Sequence, residues 1–306
     1  MAIREEQQVY EARFHVVLEA WRSTTGKALR RAIHLVFMYS VLVAGALFFL
    51  FPLAWMAGTS LKTREEAART QHHLLPEVPQ WENYQTIIQD SAFIRDYFNS
   101  VFVAGMVLIG TVVSVTVVAY AFSRLRWKGR NVVFTLMMGT LMLPYQATLV
   151  PQYVLFYELE WLRTFNPITI PGFFAGGATL VFLLRQFMMT IPRELDEAAA
   201  IDGANPLQIL WHVIVPLTRP AIITVSLFLF VAQWNSLLAP LIYLQKPELY
   251  TLPIYVAQKH NLQEPPPLPW HEIMAASVLF VIPVLVIFLV AQRYFTEGIT
   301  LTGSKG

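Results

Sequence analysis

The chain alternates between long apolar runs and short polar islands. Six apolar runs stand out, at residues 32–56, 100–122, 132–153, 168–189, 221–244 and 273–292. A helix of about 20 apolar residues crosses the hydrocarbon core of a bilayer, so each run predicts a membrane-spanning helix. The first is too long, and starts too late, for a cleaved signal peptide. The third is interrupted by Pro144 and Pro151. Each is either a packing kink or a break whose freed backbone groups need partners within the bundle or a cavity. The fourth carries Gly172 and Gly176 at a small-xxx-small spacing, which predicts close helix approach, and Arg185 near one end, long enough to snorkel. In the fifth, Gln233, Trp234 and Asn235 interrupt the apolar run. They either hydrogen-bond between helices or line a water-filled path, where an aromatic plane beside amides suits a sugar.

The polar islands differ in character. Residues 123–131 hold Arg124, Arg126, Lys128 and Arg130 with no acid. The segment before the first span is also basic, which by the bias of short cytoplasmic loops places both inside. Six spans then put both termini and the island at 191–220 in the cytoplasm, with loops 58–99, 157–166 and 245–270 outside. Residues 1–31 repeat Tyr10, Phe14, Val17, Leu18 and Trp21 at roughly helical spacing. They read either as a helix along the inner leaflet or as a loosely ordered tail.

Island 191–220 predicts two short helices. Pro192 and the acids Glu194, Asp196 and Glu197 open the first, and Gly203 stops it. Asn205–Pro206 is a cap and first turn for the second. Leu207, Leu210, Trp211 and Ile214 give that helix an apolar stripe, and Pro216 is expected to end it.

Composition narrows the class. The chain is 56% hydrophobic and 14% charged, against roughly 25% charged in soluble domains. It has no cysteine, hence no disulfide or thiolate metal site. A net charge of +2 is too small to suggest a nucleic-acid partner. No catalytic constellation is visible. His271–Glu272 opens a zinc-protease string, but Ala275 stands where the second histidine belongs. There is no phosphate-binding loop, so the chain is not expected to hydrolyse ATP. A membrane scaffold or intramembrane enzyme is the rival class, and the spans offer it no paired acids or histidine cluster.

Glu197-Ala198-Ala199, Asp202-Gly203-Ala204 and Ile214-Val215-Pro216 resemble the cytoplasmic loop signature of ABC importer permeases. The run Gln292-Arg293-Tyr294-Phe295 and the ending Gly303-Ser304-Lys305-Gly306 look like the carbohydrate-uptake, maltose permease branch. The resemblance covers roughly residues 32–306 and implies an all-α, six-helix type I permease domain behind the segment 1–31. It implies one permease subunit of a binding-protein-dependent importer in the inner membrane of a bacterium or archaeon. A second permease subunit, two ATP-binding subunits and an extracytoplasmic solute-binding protein would be its partners, with ATP and magnesium held by the ATP-binding subunits and no cofactor in this chain. Glu197, Ala198, Ala199, Asp202, Gly203, Ala204, Ile214 and Pro216 would form the docking loop. Gln233, Trp234 and Asn235 would lie on the solute path. The cargo would be a carbohydrate, or in an alternative glycerol phosphate, a polyamine or another small solute. Loop 245–270, stiffened by Tyr250, Tyr255 and Pro265-Pro266-Pro267, would either connect two spans or reach the binding protein.

Overall fold

The computed structural model describes the backbone of residues 2–69, 73–261 and 269–303, and the side chains of residues 31–69, 73–259 and 269–292. It divides into two units, Met1–Gly58 and Thr59–Gly306. The first is almost entirely helix α1 (Ala2–Ser60). Its run Arg31–Ser60, whose most apolar 18-residue stretch has a mean hydropathy of 2.2, is long and apolar enough to cross a membrane. The backbone passes from residue 31 to 32 without a break in the helix. The side chains of the basic amino-terminal stretch lie outside the described residues.

The second unit is a helical bundle. Its elements are α2 (Arg64–Ala68), α3 (Glu82–Gln89), α4 (Ser91–Ser123), α5 (Arg130–Gly139), α6 (Tyr145–Glu158), α7 (Asn166–Thr169), α8 (Ala178–Thr190), α9 (Glu194–Ile201), α10 (Pro206–Ile209), α11 (Val215–Trp234), α12 (Leu238–Tyr243), α13 (Leu252–Asn261) and α14 (Trp270–Gly303). Helix α4 is the mast, and α8, α11 and α13 pack on it. Two clusters of buried side chains lie along it. Near its amino end Phe93 and Ala104 meet Ile87, Trp234, Leu252, Tyr255, Ala275 and Ala276. Near its carboxyl end Val115, Ala119, Tyr120 and Phe122 meet Val181, Leu184, Met188, Ile209, Leu210, Ile214 and Val225. Lipid tails are as apolar as these side chains, so close packing and satisfied polar groups, rather than transfer from water, hold such a bundle together.

The spans are less regular than the apolar runs suggest. The expected third span is a bent pair, Arg130–Met142 and Tyr145–Glu158, at 102°. The bend falls at Leu143–Pro144, where Leu143 is extended (φ −81°, ψ 117°), as the residue before a proline prefers. Pro151 sits inside α6 without breaking it.

The expected fourth span is also broken. A 3-10 turn (Ile170–Phe173) follows α7, and α8 begins only at Ala178. Between them Ala175, Gly176 and Gly177 take positive φ. Ser114 of α4 repairs the break: its hydroxyl donates to Gly172 O at 3.0 Å and accepts from Ala175 N at 3.0 Å. The glycines therefore allow close approach, as expected, but through a broken backbone rather than a helical stripe. A Cβ on Gly176 would stand 2.3 Å from Thr111 Cγ2. The expected fifth span ends early, at Trp234, and α12 resumes after a polar break at Asn235–Ser236.

Contacts between distant segments of the chain define two ends. Arg124, just past α4, bonds to carbonyls of Met188 and Ile191 beside the end of α8. Islands 123–131 and 191–220 therefore share one end, and the bent pair together with 166–190 makes a round trip across the bundle. At the opposite end Asn99 Nδ2 donates to Glu248 O and Tyr250 O, and Arg163 N donates to Tyr243 O. Loop 245–270 is largely built into that end. A 3-10 turn (Pro247–Leu249) leads to α13, whose Leu252, Ile254 and Tyr255 are buried. Pro265, Pro266 and Pro267 lie outside the described residues, as does the ending Ser304-Lys305-Gly306.

Candidate functional site

The first island helix, α9, carries Glu194, Asp196 and Glu197 in its first turn, complementing the helix dipole. It closes in a Schellman arrangement. Gly203 (φ +86°) donates its N–H to Ala200 O at 3.1 Å, and Ala204 donates to Ala199 O at 3.0 Å. Helix α10 opens with a capping box. Asn205 Oδ1 accepts from Gln208 N at 3.0 Å, and Gln208 Oε1 accepts from Asn205 N at 2.8 Å. Pro206 occupies its first turn.

Pro216 does not end this second helix, contrary to expectation. The chain runs on through a π-turn, Leu210–Ile214, into α11, so that 206–234 is one helical run. In the π-turn Val215 N bonds to Leu210 O, five residues back. That looser register absorbs a proline, which has no N–H to give and would crowd the carbonyl four residues earlier.

The predicted docking residues separate into two groups. Glu197, Ala198, Asp202, Gly203 and Pro216 are exposed, whereas Ala199 and Ala204 turn half-buried against the α4–α8 core, and Ile214 is fully buried. Among the described residues, nothing lies within 4 Å of where a Cβ on Gly203 would stand. Of the predicted stripe, Leu210 and Ile214 are buried, but Leu207 and Trp211 are exposed, and Ile209 joins the core in their place. Ile201, 86% exposed, and Leu195 extend the open apolar surface.

Arg124, which the sequence marks only as one cation among four, is the anchor of this region. Its Nη2 donates to Met188 O at 2.6 Å and to Ile191 O at 2.9 Å, and its Nη1 pairs with Asp196 Oδ2 at 3.3 Å. In return Arg193 Nη2 donates to Ser123 O at 3.4 Å, at the last residue of α4. Cations at these carbonyl ends also suit the helix dipoles. Burial pushes the Asp196 carboxyl above its ordinary value although Arg124 draws it down. Burial likewise lowers Arg124, with Asp196 opposing. Only the fold selects Arg124 from its neighbours, because α4 happens to end there.

The three residues of the predicted solute path lie apart in environment. Trp234 is 1% exposed and stacked against Phe230 and Phe280, with Nε1 donating to Phe280 O at 3.0 Å. It offers no free face to a sugar in this conformation. Gln233 is half-buried, and Asn235 is exposed with Nδ2 donating to Val231 O at 2.7 Å.

The opposite end holds a second polar network. Burial raises the Asp90 carboxyl, but the Tyr255 hydroxyl at 2.7 Å, the Ala92 N–H at 2.9 Å and the Lys259 charge outweigh it and hold the group below its ordinary value. Lys259 also pairs with Glu272 at 3.1 Å.

Residues 117–300 match the family described as binding-protein-dependent transport system inner membrane component. The chain is 30% identical over 283 residues to the galactooligosaccharides transport system permease protein GanQ of Bacillus subtilis (strain 168), covering 91% of this chain and 98% of that one. It is 30% identical over 272 residues to the sn-glycerol-3-phosphate transport system permease protein UgpE of Yersinia enterocolitica (serotype O:8 / biotype 1B, strain NCTC 13174 / 8081), covering 86% and 95%. Its fold matches a chain of a bacterial ABC transporter involved in the import of the acidic polysaccharide alginate, with a TM-score of 0.77 and 26% identity over 86% of this chain and 96% of that chain.

Proposed function

The chain belongs to the family of inner-membrane components of binding-protein-dependent transport systems, and from that premise we propose that it forms half of the membrane path for a carbohydrate and carries ATP-driven motion into that path. As a permease subunit of an ABC importer it is a transport component of the membrane, not an enzyme. In this reading a second permease completes the path. Two ATP-binding subunits, holding ATP and magnesium, dock on the end that carries α9 and α10. A solute-binding protein delivers cargo at the other end. The basic loop 123–131 supports a cytoplasmic docking end, and with it cytoplasmic termini. The tip of loop 245–270 would face the binding protein.

The carrying observation is the α9–Gly203–α10 handle. The end of α9 and the start of α10 are capped from within the chain, yet Ile201, Leu207 and Trp211 stand open on the same short segment as Glu197, Asp202 and Gly203. Exposed apolar groups rimmed by polar ones mark an interaction surface, and a side-chain-free Gly203 lets a partner's backbone come close. Gln233 and Asn235 border the break in the α11 run and are the proposed solute contacts, with Trp234 holding that break in place. Carbohydrate is favoured by the galactooligosaccharide and alginate relatives. Glycerol phosphate is the second reading, supported by the sn-glycerol-3-phosphate relative.

The test is co-expression with the cognate ATP-binding subunits, followed by reconstitution with the binding protein and a ligand screen. Uptake of a sugar, dependent on both ATP and binding protein, is the expected result. Failure of the chain to co-purify with any ATP-binding subunit would overturn the reading.

A further inference from the structure

We infer that Arg124 is the joint that passes the movement of α9 to α4 and α8. The inference rests on the docking reading above. Its warrant is geometric. One buried guanidinium reaches three places at once: the end of α8 through Met188 O, the linker through Ile191 O, and the first turn of α9 through Asp196. Its own backbone continues α4, and Arg193 closes the loop back onto Ser123 O. A planar fork of donors can hold several acceptors in fixed relative directions, which a lysine ammonium on a flexible stem cannot. Three helix ends are therefore tied through one side chain.

The other route out of the handle is looser. From α9 the chain passes Gly203 at positive φ, then the short α10, then the π-turn at Leu210–Ile214, with Pro216 and Pro220 just beyond. Each of these weakens or shifts the regular hydrogen-bond ladder. A pull on α9 thus reaches α4 and α8 directly through Arg124, and reaches α11 only by way of Gly203 and the π-turn. The ion pair, buried at Arg124 and half-buried at Asp196, fits a positional part better than a stabilising one, since desolvation offsets part of the attraction in such pairs.

The experiment uses the whole importer in proteoliposomes. Two variants of this chain, Asp196→Asn and Arg124→Lys, are compared with wild type. Asp196→Asn leaves Arg124 its two carbonyl bonds, so assembly is preserved even if Arg124→Lys assembles poorly. Three readouts are taken: yield of assembled complex, ATP hydrolysis with and without binding protein, and uptake per ATP. The chain lacks cysteine, so Ala198→Cys, alkylated with a maleimide that carries a benzophenone and then irradiated, serves as a photo-cross-linking probe for contact with the ATP-binding subunit without needing a thiol on that subunit.

For Asp196→Asn the expected result is normal yield, an intact cross-link, hydrolysis that no longer responds to binding protein, and uptake per ATP lower by about tenfold or more. Uptake per ATP within about twofold of wild type, with the cross-link intact, overturns the joint and leaves docking standing. Absence of the cross-link in the otherwise wild-type complex overturns docking itself. Loss of yield in Arg124→Lys beside full coupling in Asp196→Asn reduces Arg124 to a helix-end cap and also overturns the joint.

Discussion

Replacing Gly203 with asparagine separates two reasons for a glycine at the tip of the handle. The first is conformational: φ is +86° there, and the Schellman bonds Gly203 N to Ala200 O and Ala204 N to Ala199 O depend on it. An ordinary L-residue in that region costs roughly 1–2 kcal/mol, a factor of about 5–30 in the folded ratio. Asparagine tolerates left-handed backbone well, so its cost lies at or below the low end of that range. The second reason is contact. The Cβ direction is open, with nothing among the described residues within 4 Å, so a clash of a side chain there points to a partner. Gly203→Asn is therefore expected to leave assembly and thermal midpoint of the purified complex nearly unchanged. Binding-protein-stimulated hydrolysis and uptake in proteoliposomes should fall by about tenfold or more. Gly203→Val, branched and strained, should lose both stability and uptake. Full uptake by the asparagine variant would refute the reasoning: the glycine would then serve φ alone and no partner backbone would approach it.

Other outcomes follow from the packing and charges. Trp234→Ala empties a site that is 1% exposed and stacked on two phenyl rings. It should cost about 3–5 kcal/mol, read as a lower melting temperature in detergent. Asn235→Leu should assemble normally and lose transport, and unchanged transport would remove Asn235 from the solute path. Gly176→Ala sets a Cβ 2.3 Å from Thr111 Cγ2. An overpacking cost of about 1–3 kcal/mol is expected, and Thr111→Ser should recover part of it in a double-variant melt. Asp90, with a folded pKa below its ordinary 3.8, adds stability that is fully present above that ordinary value and is lost as pH falls through the folded one. Acid melts of Asp90→Asn should lack that limb.

Much was legible from residue order because local chemistry decides it. Apolar run length, a proline after an asparagine, a glycine after a helical stretch and a cluster of basic residues each act within a few residues of themselves. Hence the membrane class, the two-helix handle and its Gly203 and Asn205 ends all follow from residue order alone. The points that differ are those where distant segments overrule local preference. Ser114 on α4 supplies the hydrogen bonds that let the fourth span break at Ala175–Gly177. Phe230 and Phe280 close over Trp234, turning a plausible sugar platform into core. Arg124 is one of four cations until α4, α8 and α9 converge on it. Which polar group ends up buried, and against what, is a property of packing between segments far apart in the chain, and no local pattern encodes it.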